Sequence, residues 1–270
     1  MKYRVTEQIE LAHGLEVDLK EGWKKITSRQ FGGNPGRAAS ELLQNAIDSY
    51  AADVPINERR IDIKTTQQSL SVIDYGSGLD RKKLQLLVTL GGTDKDNNAA
   101  TIGFFGVGFF SIFNPRLQTN RVRVITRCEG SIVELTFQVN HPEEPPTITV
   151  AVLDQTINFS TCVEVHFTTP SSVNLCLDAM ENALRYYPCR FTINGLQHHS
   201  IWEHARREKA FMFDDGFCQG FIERGHYFES VTMLCKYERI MSLSMDALIT
   251  GGHNMTNSLD DYYPGSMPCI

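Results

Sequence analysis

With 270 residues, 41 % of them hydrophobic and 21 % charged, the chain can bury a substantial core, as one large domain or a domain with an appendage, and its composition excludes a disordered protein. A net charge of −6 gives no global attraction for nucleic acid. No apolar run reaches membrane-spanning length, and the opening MKYRVTEQIELAHG lacks the basic-then-apolar pattern of a signal peptide, so the cytoplasm is the default location.

The seven cysteines form no C-x-x-C pair and are odd in number, which favours buried free thiols. The eight histidines show no H-E-x-x-H spacing, and no structural metal site is expected.

In chain order, residues 1–33 predict a short extended start and then a helix from Leu19 to Phe31, with Trp23 and Ile26 covering a core and Gly32 and Gly33 ending it. NPGRAASELLQNAIDSY, Asn34 to Tyr50, predicts the central helix, with Asn34 as N-cap and Pro35 in the first position. Glu41, Asn45 and Asp48 then stand at i, i+4 and i+7 on one narrow stripe, while Leu43, Ala46, Ile47 and Tyr50 can pack against a sheet. Two carboxylates and an amide are costly to bury without a partner, and a hydrated Mg²⁺ is one candidate. A solvent-facing polar stripe is the alternative. Residues 53–58 read as a loop.

RIDIKTTQQSLSVID predicts a β-hairpin ending at Asp74, after which Gly76 and Gly78 follow at spacing two. Asp74 can accept from an exocyclic amine, and the glycines let the backbone approach a flat ring. The same residues also suit an ordinary strand-to-helix turn, with Asp80 capping a helix through Leu84 to Leu87. TLGGTDKDNNAATIGFFGVG, residues 89–108, is glycine-rich and polar in its middle. Gly106-Val107-Gly108 leads into FFSIF as the first turn of a helix, a geometry that offers N–H groups to a phosphate. A mobile surface loop has a similar composition. The segment is neither a Walker A motif nor a dinucleotide fingerprint.

From Arg121, the runs RVRVITRC, SIVELTFQV, TITVAVLD and CVEVHFT alternate and predict an antiparallel meander. Ser171 to Tyr187 has helical spacing, PCRFTING predicts a strand and turn, and residues 201–270 hold two or three further strand-like runs. The fold class expected is α+β: a two-layer α/β sandwich whose mixed, mostly antiparallel sheet is covered on one face by helices. A β-rich extension follows at the C-terminal end.

E-x-x-x-N-x-x-D on a helix, D-x-G-x-G after a strand and G-x-x-G-x-G opening a helix, in that order, resemble the GHKL ATPases. That superfamily includes gyrase, the ninety-kilodalton heat-shock chaperone, histidine kinases and mismatch-repair ATPases. IGFFGVGFFS and the GGT at 91–93 look most like the chaperone branch. The resemblance covers about residues 34–200 and implies a GHKL-type ATP-binding domain over 1–200, with 201–270 as the possible start of a second domain. It implies ATP and Mg²⁺ as ligands, Glu41 as the general base for the attacking water, Asn45 as the Mg²⁺ ligand and Asp48 close by. Asp74 and Thr161 would contact the adenine amino group, with Gly76, Gly78 and Leu79 in the adjoining turn. Gly103, Gly106, Val107, Gly108 and Phe109 would cradle the phosphates under a lid at 89–102.

The sequence departs from the chaperone pattern in three places: Ser40 replaces a basic residue before the acid (Arg37 lies one turn back), Leu90 replaces a lid lysine, leaving Lys95 nearest, and Phe104 replaces a polar residue. These departures point to slow hydrolysis in isolation. The expected function is therefore a chaperone-like ATPase module with a nucleotide-dependent homodimer and a protein client as partners. The alternative is a nucleotide-sensing interaction domain with little hydrolysis.

Overall fold

The computed structural model describes residues 19–25, 27, 36–89, 108–214, 219–222, 230–235 and 238–244. They divide into two units, residues 1–182 with 189–198, and residues 183–188 with 199–270.

The first unit is built on an eight-stranded sheet. Its strands are β1 (Arg60–Thr65), β2 (Ser69–Asp74), β3 (Thr119–Cys128), β4 (Ser131–Gln138), β5 (Thr147–Leu153), β6 (Thr161–Phe167), β7 (Arg190–Ile193) and β8 (Leu196–His198). In space they run β5-β4-β3-β6-β2-β1-β7-β8, and every pair is antiparallel except β1–β7. The expected meander therefore holds only for β3-β4-β5. The fourth run, β6, returns to the other side of β3 and pairs there with both β3 and β2. Hydrophobic alternation reports which face a strand buries but not which neighbour it takes, and that is why the order was not legible.

Among the described residues four α-helices go with this sheet: α1 (Leu19–Lys24), α2 (Arg37–Asp48), α3 (Arg81–Leu87) and α4 (Pro170–Leu184), the last of which ends in the second unit. One sheet face carries the core: Ile61, Ile63, Leu70, Val72, Val122, Val124, Leu135, Phe137, Val165 and Phe167 are all nearly inaccessible. Burying each such side chain contributes roughly 1.5–3 kcal/mol. α2 presses Leu43 and Ile47 inward and packs against β1, β2 and the turn from Gly108. The opposite face is polar, where Arg123 bridges Glu134 and Glu164 at 2.7 and 2.9 Å. The first unit is thus a two-layer α+β sandwich with a mostly antiparallel sheet.

Several local expectations need correction. α2 is described from Arg37, with Gly36 in the cap position and no side-chain cap; Asn34 and Pro35, expected as cap and first position, lie outside the described residues. The helix also ends at Asp48, two residues before Tyr50. Of the helix expected from Leu19 to Phe31, Leu19–Lys24 forms α1, and Ile26 and residues 28–33 lie outside the described residues. Within 53–58, Ile56–Glu58 forms a 3-10 turn. Gly108–Phe113 is a six-residue 3-10 helix rather than the opening of an α-helix. Four bulky residues, Phe109, Phe110, Ile112 and Phe113, are buried around it, which a single amphipathic α-helical face could not achieve. The expected strand β5 forms, but at the sheet edge, where Val150 and Val152 are exposed.

In the second unit, α5 (Ile201–Arg207) was not anticipated. Ser200 caps it by accepting from the Glu203 N–H, and the Trp202 indole donates to the Tyr186 carbonyl at 2.7 Å. Four strands follow as two hairpins, β9 (Phe211–Asp214) with β10 (Gln219–Ile222) and β11 (Ser230–Cys235) with β12 (Glu238–Ser244).

Candidate functional site

The site lies in the first unit, between α2 and the C-terminal end of β2. Glu41 and Asp48 on α2 are half-buried, while Asn45 between them is exposed, so the three share an edge of the helix instead of its core face. Ser40, directly before Glu41, points inward and is 7 % exposed. The Glu41 carboxylate reaches the start of the 3-10 turn and lies where a Cβ on Gly108 would stand. Only glycine at 108 leaves room for that approach.

Asp74 closes β2 and is 5 % exposed. Its Oδ1 accepts from the Gly76 N–H at 3.0 Å, and its carboxylate also receives hydrogen bonds from Ser49 and Thr161. Thr161 is its register partner on β6, so the two side chains share the core face of the sheet. Burial pushes the Asp74 carboxyl up from 3.8 to about 6, against the pull of the Gly76 N–H and the Ser49 and Thr161 hydrogen bonds. A carboxylate kept this dry is poised to take one more donor. Behind it, Val163 is only half-buried although its cross-strand neighbours Val72 and Val124 are 2 % and 1 % exposed, so the core face opens at this row.

The loop after Asp74 is held from both sides. The Ser49 carbonyl accepts from the Ser77 N–H at 2.9 Å, and the Ser160 hydroxyl donates to the Gly76 carbonyl at 2.6 Å. Gly78 has φ +76, and its Cα sits so close that a Cβ would come within 2.5 Å of the Arg127 carbonyl oxygen. The Leu79 N–H divides its bond between that oxygen, at 3.1 Å, and the Thr126 hydroxyl, at 3.2 Å. The Thr126 hydroxyl meets that of Thr161 at 3.0 Å, linking the loop back to the partner of Asp74. Asp80 then caps α3 by accepting from the Lys83 N–H.

Of the residues singled out in the sequence, the structure brings together Glu41 and Gly108 on one side, and Asp74, Gly76, Gly78, Leu79 and Thr161 on the other. Asn45 and Asp48 lie on α2 between Glu41 and Ser49. Phe109 is turned into an aromatic cluster with Phe110, Phe113 and Phe137, so its side chain serves the core. Gly103, Gly106, Val107 and the lid segment from Leu90 onward lie outside the described residues. Sequence reasoning missed Ser49, Thr126, Arg127 and Ser160. Ser49 follows the helical stripe directly and carried no signal of its own, and the others depend on the β3–β6 pairing.

The donor set suits a nucleotide: a dry acceptor for an amino group, an opening over an apolar row, and a glycine-lined approach next to a second carboxylate. Among the described residues no group of three or more His, Cys, Asp or Glu could hold a metal. A divalent cation would therefore take most of its ligands from phosphate and water, with Asn45 as the protein oxygen, an arrangement that Mg²⁺ accepts.

Compared with protein families, residues 34–167 match the model described as histidine kinase-, DNA gyrase B- and HSP90-like ATPase. This match supports the GHKL superfamily for the segment, and with it ATP binding and ATPase-type function in general. No curated protein matches the chain.

Proposed function

We propose that residues 34–167, as a GHKL-type ATPase segment, bind ATP with adenine on Asp74 and Thr161 and the phosphates at Gly108, and hydrolyse it slowly. The observation that carries this reading is the Asp74 carboxylate, buried at the end of β2 and raised to about 6, with α2, which packs on β2, holding Glu41 against Gly108. Gly76, Gly78 and Leu79 shape the turn beside the base, and Gly103, Gly106, Val107 and Phe109 complete the phosphate segment. Asn45 holds Mg²⁺ on the phosphates, with Asp48 close by. That ion supplies charge neutralisation at the phosphates.

Glu41 receives the proton of the attacking water, a role worth about 10²–10⁴ in rate. In this reading, residues 1–200 are the ATP-binding domain and 201–270 an extension that begins a second domain. The lid at 89–102 closes over the nucleotide, the change passes to a homodimer partner or a protein client, and the module works in the cytoplasm as a chaperone-like device. Calorimetric titration with ADP and a non-hydrolysable ATP analogue, with and without Mg²⁺, tests the binding. Binding that depends on Mg²⁺ and is lost in Asp74→Asn is expected. Absence of binding to the wild type would overturn the reading.

A second reading, a nucleotide-sensing interaction domain with little hydrolysis, is favoured by Ser40. It stands where the resemblance expects a basic residue, and it is an uncharged side chain only 7 % exposed. Turnover separates the two: loss of activity in Glu41→Ala supports hydrolysis, and tight binding with no turnover in the wild type supports sensing.

A further inference from the structure

On the sheet face opposite α2 lies a network that the nucleotide site itself does not use. Asp62 on β1 is 6 % exposed and accepts four hydrogen bonds. Arg60 supplies two, from Nε at 3.1 Å and Nη2 at 2.8 Å; Tyr75 supplies its hydroxyl at 2.6 Å and Thr192 its hydroxyl at 2.9 Å. Thr192 is the register partner of Asp62 across the parallel β1–β7 pair, so both side chains stand on this outer face. The Arg60 guanidinium covers the Tyr75 ring at 4.6 Å. The Tyr50 hydroxyl, just past the end of α2, donates to the Arg60 carbonyl at 2.5 Å and accepts from the Arg60 N–H at 2.9 Å and the Tyr75 N–H at 3.2 Å.

Tyr75 is thus held by its ring, its hydroxyl and its backbone N–H. It is also the residue between Asp74 and Gly76, and the bond from the Gly76 N–H to Asp74 Oδ1 spans it. The backbone angles of Tyr75 set where that N–H points, and the N–H in turn fixes the rotation of the Asp74 carboxylate. Asp74 faces the core and Tyr75 the outer side, so a clamp on one face orients an acceptor on the other.

We propose that Asp62, acting through Tyr75, is a positioning residue that orients the Asp74 carboxylate and so sets the preference for an adenine over a guanine base. This rests on the nucleotide reading above. Adenine presents an amino donor where guanine presents a carbonyl acceptor. A fixed carboxylate attracts the first and repels the second, whereas one free to swing can turn away from the carbonyl and forfeits the discrimination. Because the clamp never touches the ligand, it changes selectivity through geometry alone.

The test is calorimetric titration of the full chain with ADP and with GDP, on wild type, Tyr75→Phe, Asp62→Asn, their double variant and Asp74→Asn. Phenylalanine keeps the ring under Arg60, and asparagine keeps the shape of Asp62. Each single change is expected to weaken ADP binding about five- to tenfold, within the range of one ordinary hydrogen bond, and to leave GDP binding within about twofold. The double variant should be no weaker than the worse single one, as for two residues acting in one chain of contacts. If Asp74→Asn abolishes ADP binding while both clamp variants keep the wild-type ADP-to-GDP ratio, the positioning role is overturned and the nucleotide reading stands. Equal weakening of both nucleotides would also overturn it, since a purely structural role acts on both alike. If the wild type binds neither nucleotide, both readings fall. Should Tyr75→Phe lose its far-ultraviolet dichroism, Asp62→Asn decides by the same ratio.

Discussion

The carboxylate of Glu41, on the second turn of α2, occupies the space where a side chain at Gly108 would begin. A Cβ there would meet Oε2 directly and stand 2.9 Å from the Glu41 carboxyl carbon. The residue that the nucleotide reading makes the base and the backbone that it gives to the phosphates are therefore in contact before any ligand arrives. Glu41 needs no hinge to reach its task.

Gly108→Ala tests that contact. The atom displaced is the far end of a flexible side chain, so the fold should tolerate the change and the melting temperature should move little. The carboxylate must shift by about an ångström, and a misplacement of that size can cost about 10² in turnover. ATP hydrolysis should fall about a hundredfold while ADP still binds. Turnover at the wild-type rate would show that Glu41 does not act from this position.

Gly76→Ala should behave in the opposite way. Its Cβ would stand 2.6 Å from the Ser49 carbonyl oxygen and 2.7 Å from the carbonyl carbon, which are backbone and cannot rotate aside. The loop would have to move off the end of α2 and break the Ser77–Ser49 bond. Overpacking of this kind costs about 1–3 kcal/mol. Chemical denaturation should show that loss at unchanged m-value, and a variant as stable as wild type would mean the loop is not seated on α2.

How far the sequence carried can be judged from these same residues. The stripe of Glu41, Asn45 and Asp48, the β1–β2 hairpin and the turn at Gly76 and Gly78 are local patterns, and each is written within about twenty residues. The clamp on Tyr75 is not local: Asp62 meets Thr192 only because β1 and β7 lie side by side, and no periodicity reports that pairing. Ser49 and Tyr50 looked like the tail of a helix, whereas the helix ends at Asp48 and frees both to hold the loop. The exposed valines of β5 misled in another way, since alternation implies a buried face and takes no account of a strand being last in its sheet.

Asp74 should cost the empty protein stability. Its carboxyl is raised to about 6 in the fold against 3.8 as its ordinary value, so between those pH values the folded state binds more protons than the unfolded one. Stability then falls as pH rises through that window, by on the order of 3 kcal/mol in full. Asp74→Asn removes the ionisable group and retains an oxygen for the Gly76 N–H. The variant should melt above wild type at about pH 8, and the difference should shrink as pH falls and disappear below about pH 3, where Asp74 is neutral in both states. A variant less stable than wild type at about pH 8 would show that the charged form is not penalised.

The same proton should govern the base. Adenine offers Asp74 an amino donor, which favours the ionised carboxylate and lowers its pKa in the complex. By linkage, affinity must rise with pH up to the pKa of the free protein, about 6, and level off above it. Adenosine is the right probe, because it lacks the phosphates whose own protons titrate in that range. Its affinity should be constant from about pH 7 to 8 and fall below about pH 6, approaching tenfold per unit where only the free protein is protonated. The direction separates two chemistries. A neutral carboxyl donating to a ring nitrogen would strengthen binding as pH falls, and a residue that only lines the opening would leave the profile flat. Either result would remove Asp74 as the acceptor of the amino group, even if ATP binds elsewhere on the same face.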